Sequence, residues 1–364
     1  MHKQVGRTVE VESLAEFDAR VAAGATSMSG WRLQDVDLRD RADVLATMNP
    51  RGSLFLGCLL GEDVENSLRE HGALVFPVLP DLPFDAYRGA LYTPEELYDG
   101  LEASYDETTD AVVYAWSKRL RRDLAGHLAE TLHDLAIDDA LDELVRRPRV
   151  VGVMGGHQLE RGSAGYAAAA TLGRSLARAG LLVATGGGPG AMEAANLGAY
   201  LAPVDDSALD KALAVLSDAP TFAPSVTEWA RAAFDVRRRW PHGGRSLGIP
   251  TWFYGHEPPN PFASAIAKYF KNAVREDILL HCCTAGIVFL PGRGGTVQEV
   301  FQDACENYYA DPSSVAPMVL VGKDYWTGEL PVWPLLRSLA QDRVMEPLVH
   351  LVDDLDDILP LLAG

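Results

Sequence analysis

Short apolar runs alternate with amphipathic stretches through the second half of the chain. Val150-Val151-Gly152-Val153-Met154 reads as a buried strand, Gly155-Gly156-His157 as a turn, and Tyr166 to Ala179 as an Ala-rich helix ended by Gly180. Leu181 to Ala184 is the next strand, followed by the turn Thr185-Gly186-Gly187-Gly188-Pro189-Gly190 and a helix from Ala191 through Ala199. Ile287 to Leu290 is short and β-branched enough for a buried parallel strand. Beyond it come Met318 to Val321 (strand), Leu330 to Leu339 (helix), Val349 to Val352 (strand) and a last short helix. This alternation predicts an α/β fold built on a doubly wound, Rossmann-like parallel sheet of six strands.

The remainder of the chain fits around that sheet. Residues 201–246 interrupt the alternation with helical pieces punctuated by Pro203, Pro220, Pro224 and Pro241. Ser246 to Tyr254 reads as a strand and Gly255 to Pro261 as a loop. Asn260-Pro261 then fits the N-cap and first position of a helix running from Phe262 to about His281. Residues 1–105 read as an added N-terminal α+β module. It has a strand at Thr8 to Val11, a helix from Ser13, and short strands within Gly52 to Cys58 and Ala73 to Pro77. No internal repeat and no catalytic constellation is visible in it. Residues 106–147 form a helical connection whose Arg119, Arg121 and Arg122 read as a solvated basic face. The expected division is therefore 1–105, 106–147 and 148–364, the last with the insertion 201–246.

Composition narrows the function. The 364 residues carry a net charge of −19 and a pI near 4.8, which argues against nucleic acid or an anionic membrane as the main partner. A small phosphate ligand stays compatible, because backbone amides and a few arginines create a local positive pocket. No apolar run reaches the roughly 20 residues of a membrane span. The start MHKQVGRTVEVESL shows no apolar signal segment, so a cytoplasmic location is expected. Cys58, Cys282, Cys283 and Cys305 form no spaced framework and fit a reducing compartment. His281, Cys282, Cys283 and Cys305 lack the usual ligand spacing, so they read as small residues at a helix end and no metal is expected.

Candidate chemistry gathers at the glycine turns. After Ile287 to Leu290 come Gly292, Arg293, Gly294 and Gly295, and Thr296 opens a helical pattern. Strand, glycine turn and helix amino end together make an anion site. Glu299, one turn on, puts a carboxylate beside it, the arrangement a nucleotide-cleaving enzyme needs. Thr296-Val297-Gln298-Glu299 equally fits a capping box, with no chemistry at all. Gly186 to Ala191 satisfies G-x-G-x-x-A, but the turn follows the second strand of the unit, where the dinucleotide fingerprint belongs on the first. Turns at the carboxyl ends of parallel strands line one crevice, so Gly186, Gly187, Gly188 and Gly190 would face the same ligand as Gly292 to Thr296. Met192, Glu193 and Asn196 would lie on the first turns of the helix between them. Lys268, Lys271 and Arg275 fall on one face of the expected helix, either solvated or reaching the crevice. His157 is placed for a ligand contact or a turn hydrogen bond.

GGGPGAMEAAN (Gly186 to Asn196) with PGRGGTVQE (Pro291 to Glu299) resembles the LOG family of Rossmann-like phosphoribohydrolases over about residues 148 to 360. Gly155-Gly156-His157 and the extra N-terminal module resemble its longer bacterial members, the purine and pyrimidine nucleotide 5′-monophosphate nucleosidases. The resemblance implies a nucleoside 5′-monophosphate substrate, no cofactor and a homodimer. It places the family's catalytic arginine on Arg275 and its catalytic glutamate on Glu299. On the hydrolytic reading Glu299 would bind the ribose hydroxyls and orient or deprotonate water, while Arg275 anchors the sugar phosphate and holds Glu299 ionised. Two departures stand out: Arg293 replaces a family glycine, and Glu276 occupies a position where short members have lysine. Two other readings remain: a regulator that holds a nucleotide without cleaving it, and a dinucleotide-dependent oxidoreductase.

Overall fold

A computed structural model describes residues 9–119, 124–253 and 257–362. Thr8, Arg121, Arg122 and the residues 254–256, on which some sequence expectations fall, lie outside the described residues. The chain divides into two compact units, one of residues 1–90 with 122–140 and one of residues 91–121 with 141–364. No described helix is long and apolar enough to cross a membrane.

The larger unit holds a seven-stranded, all-parallel sheet. Its strands are β5 (Val150–Met154), β6 (Leu182–Thr185), β7 (Ser246–Gly248), β8 (Ala265–Ile266), β9 (Ile287–Phe289), β10 (Met318–Val321) and β11 (Val349–Val352). Their order across the sheet is β11-β10-β9-β5-β6-β7-β8. The chain thus winds outward from β5 through β6, β7 and β8. It then returns to the other side of β5 with β9 and winds outward again. That reversal puts the topological switch point between β5 and β9, where open α/β sheets bind ligands. The strands that read most clearly in the sequence are those buried on both faces, with Val151, Val153, Val183, Val288 and Val319 fully enclosed.

One predicted element is wrong. The helix expected from Phe262 begins only at Asn272 and ends at His281. Asn260 does cap, but its side-chain oxygen accepts from the amides of Phe262 and Ala263 to close a turn instead of starting a helix. The chain then runs extended along the sheet edge as β8, a seventh strand beyond the six expected. Lys268 lies there, buried, with its ammonium on Asp110 at 2.5 Å. Asp110 lies in the first turn of the helix Thr109–Arg119 and also accepts from the Trp252 indole at 2.8 Å and the Tyr105 hydroxyl at 2.6 Å. The stripe of Lys268, Lys271 and Arg275 therefore does not exist as one helix face.

The smaller unit contains β1 (Val9–Val11), β2 (Trp31–Gln34), β3 (Leu54–Leu56) and β4 (Leu74–Phe76), paired in parallel in chain order. Val11, Leu33, Phe55 and Val75 stack as one buried row across it. Gly30, Gly52 and Gly72 precede successive strands, all with positive φ, and each amide donates to the carbonyl of the next (3.0 and 3.1 Å). They recur roughly every 20 residues, so this unit is an internal repeat that the sequence reading overlooked.

Candidate active site

A cleft of about 440 Å³ opens at the switch point. The turn Gly155-Gly156-His157-Gln158 after β5 forms one wall, and the amino end of the helix Gly294–Tyr309 after β9 forms the other. The two are tied where the Gly156 amide donates to the Pro291 carbonyl at 3.1 Å. Met192, Glu257, Arg275 and Glu276 complete the lining with Arg293, Gly294, Gly295, Thr296, Gln298 and Glu299.

The capping box does not form. The helix starts at Gly294 with Arg293 at its cap position, and no side chain caps it. Its first amides therefore face the cleft with the positive end of the helix dipole. Thr296 and Glu299 turn inward instead. Gly292 lies behind them, outside the lining: a Cβ there would come within 2.1 Å of the Thr296 hydroxyl, and its carbonyl accepts from the Tyr325 hydroxyl. Arg293 stands at the rim with its guanidinium 3.1 Å from Glu329, both well exposed and hence weakly held.

Arg275 and Glu299 line the same cleft without forming an ion pair. Arg275 is buried and gripped on three sides. Its Nε donates to the Ile249 carbonyl at 2.6 Å, Nη2 to the Gly186 carbonyl at 3.1 Å, and Nη1 to Glu276 Oε1 at 2.7 Å. Burial pushes the Glu299 carboxyl up to about 8, against the pull of Arg275 and reinforced by the nearby Glu276. The sequence-derived expectation that Arg275 holds Glu299 ionised therefore fails, because loss of water outweighs the arginine. His157 faces Glu257 across 3.6 Å, both half-exposed in the lining.

The turn after β6 plays a different part from the one expected. Gly186, Gly187, Gly188 and Gly190 are buried and do not line the cleft; only Met192 from that region does. β6 is separated from β9 by β5, so its turn is one strand too far from the switch point. It works as a socket for Arg275: a Cβ at Gly186 would lie 2.6 Å from Nη2. Asn196 is fully buried and braces this turn. Its side-chain oxygen accepts from Thr185 Oγ1 at 2.7 Å and from Asn260 Nδ2 at 3.1 Å. Asn260 also donates to the Gly188 carbonyl at 3.1 Å. Glu193 is likewise unavailable to a ligand in the cleft. It is fully buried in a two-pronged ion pair with Arg161, whose guanidinium lies 4.4 Å over the Trp229 ring and donates to the Trp229 carbonyl at 2.9 Å. Lys271 precedes the helix Asn272–His281 as its exposed cap residue and is absent from the lining.

Reading the sequence missed Gln158, Glu257, Gln298 and the full part of Gly155 and Gly156. The signal for the last two was present: they follow the first strand of the wind, which always borders the switch point.

This fold and cleft define a Rossmann-like, doubly wound α/β protein. Residues 148–203 match the model of the SLOG cluster4 family, a segment that contains both upstream glycine turns and ends before Arg275 and Glu299. Among solved structures, the molybdenum cofactor binding protein from the phototrophic bacterium Rippkaea orientalis is 19% identical, with a TM-score of 0.36, over 59% of this chain and 96% of its own. The Moco carrier protein from Chlamydomonas reinhardtii is 19% identical with a TM-score of 0.35, over 60% and 99%. No curated protein matches the chain.

Proposed function

We propose that the cleft binds a nucleoside 5′-monophosphate and hydrolyses its N-glycosidic bond to free base and ribose 5-phosphate. The observation that carries this reading is the joint placement of Arg275, Glu299 and an uncapped helix amino end around one cleft at the switch point. The amides of Gly294, Gly295 and Thr296 would take the phosphate, with Arg293 at the rim. Burial holds the Glu299 carboxyl up near 8, which favours its protonated form. It is therefore suited to give its proton to the departing base nitrogen, and its resulting charge would stabilise the oxocarbenium-like sugar. Arg275 orients the site and adds positive charge close to the sugar phosphate.

The test is base release from AMP, GMP, CMP and UMP by the purified protein. Turnover with at least one nucleotide, lost in Glu299→Gln while nucleotide binding persists, is the expected result. No base from any of them, including modified adenines, overturns the proposal. The regulator reading draws support from the three bonds that already occupy Arg275. Saturable nucleotide binding without turnover, unchanged in Glu299→Gln, would favour it.

A further inference from the structure

A second cavity of about 440 Å³ lies beside the cleft, within the roughly 300–1,000 Å³ of small-ligand pockets. His157 and Gln158, in the turn after β5, line both, so this turn is the ridge between them. β9 flanks β5 on one side and β6 on the other. The cleft lies on the β9 side of the ridge. The second cavity lies on the β6 side, where Pro189 and Gly190 of the turn after β6 help to line it. Its outer wall is Pro220-Thr221-Phe222-Ala223 with Trp229, all from the insertion between β6 and β7. Arg161 pins that wall in place. Its amide donates to the Pro220 carbonyl at 3.0 Å, and its guanidinium donates to the carbonyls of Ala219 at 3.3 Å and Trp229 at 2.9 Å while Glu193 holds the other side. Trp229 is enclosed, and the Phe222 ring meets it edge-on with centroids 6.4 Å apart. Phe222 itself is only half-buried and keeps accessible surface for a ligand.

Resting on the nucleotide reading of the cleft, we propose that this second cavity is the base subsite: phosphate and sugar occupy the cleft, and the nucleobase crosses the His157-Gln158 ridge to lie against Phe222. A nucleoside 5′-monophosphate carries its charge at one end and a planar, largely apolar base at the other. With the phosphate on the amides of Gly294 to Thr296, beside β9, the base needs a surface that suits it. The cleft itself offers Arg275, Glu276 and Glu299, all ionisable. The second cavity offers Leu159, Pro189, Pro220 and Phe222, and its lining has no lysine or arginine to compete for the phosphate. An aromatic ring stacks on any base, because every base has a π-face. Gln158 and Thr221 bring the donors and acceptors that meet the edges of a base. The insertion 201–246 thereby gains a task, since it supplies the wall against which the base rests.

The experiment is isothermal titration of the wild type, Phe222→Ala and Phe222→Trp with two ligands. One is whichever of AMP, GMP, CMP and UMP the wild type binds best, and the other is ribose 5-phosphate, which has the phosphate and sugar but no base. Phe222→Ala should weaken the monophosphate by about tenfold or more, the usual yield of one stacked base, and shift ribose 5-phosphate by less than about twofold. Phe222→Trp keeps a face to stack on and should restore most of the affinity. A merely structural role for Phe222 would move both ligands together. Equal weakening of both, or a folded Phe222→Ala protein with wild-type affinity for the monophosphate, overturns the base subsite alone. Binding of neither ligand by the wild type overturns the underlying reading of the cleft instead.

Discussion

Glu299→Gln should stabilise the protein, and increasingly so as the pH rises. Glu299 lies in the second turn of the helix Gly294–Tyr309, 8% exposed, and its folded-state pKa is about 8 against an ordinary 4.5. A folded-state pKa above the unfolded one favours the protonated form in the native protein. Its contribution to stability is therefore fully present below about pH 4.5 and is lost as the pH climbs through 8. At about 1.4 kcal/mol per pKa unit, roughly 3 kcal/mol is gone by pH 7 and close to 5 kcal/mol above pH 8. Glutamine is nearly isosteric with the neutral acid and does not titrate, so it avoids this loss. Asp303 and Glu306 on the same helix are raised in the same direction by burial, and comparing variant with wild type at each pH cancels their share. Urea denaturation at pH 5, 6, 7, 8 and 9 measures it. The two proteins should be close at pH 5 and separate by several kcal/mol at pH 8. Parallel curves across the range would refute the claim that burial outweighs Arg275 at this carboxyl.

Two further substitutions probe the frame around the cleft. Asp110→Ala leaves the Lys268 ammonium buried without its carboxylate and takes an acceptor from Trp252 and Tyr105, so denaturation should show a loss of about 3–5 kcal/mol. Gly190→Ala places a methyl 2.5 Å from the Gly156 carbonyl at a φ of 73°, and should lower the melting temperature by several degrees through a loss of about 1–3 kcal/mol.

How much could be read from the sequence follows from what each segment buries. β5, β6, β9 and β10 are largely apolar runs, each closed by a glycine turn, and they were legible together with the shorter run of β11. β2 was not, because Trp31-Arg32-Leu33-Gln34 alternates polar and apolar residues over only four positions. β8 was hidden behind Asn260-Pro261, a sound helix start that lost to the buried Lys268–Asp110 pair and the pairing with β7, partners 158 and 18 residues away respectively. Arg275 and Glu299 could be found because glycine turns and helix starts leave local signatures. Glu193 misled for the opposite reason: a charged residue on the first turn of a helix looks the same in a sequence whether it meets a ligand or, as here, a buried arginine. The β6 turn misled through topology, since strand order, and with it the distance to the switch point, is not written in any single segment.

The glycine ladder of the smaller unit has a consequence for how its length can change. Each strand there bonds only to its immediate neighbours, and Gly30, Gly52 and Gly72 set the step from one to the next. Inserting a whole module of that period would extend the stack by one rung and leave every existing register intact. Inserting a single residue inside a rung would instead turn Leu33, Phe55 or Val75 out of the common row, so this part of the chain is built to grow or shrink in whole steps.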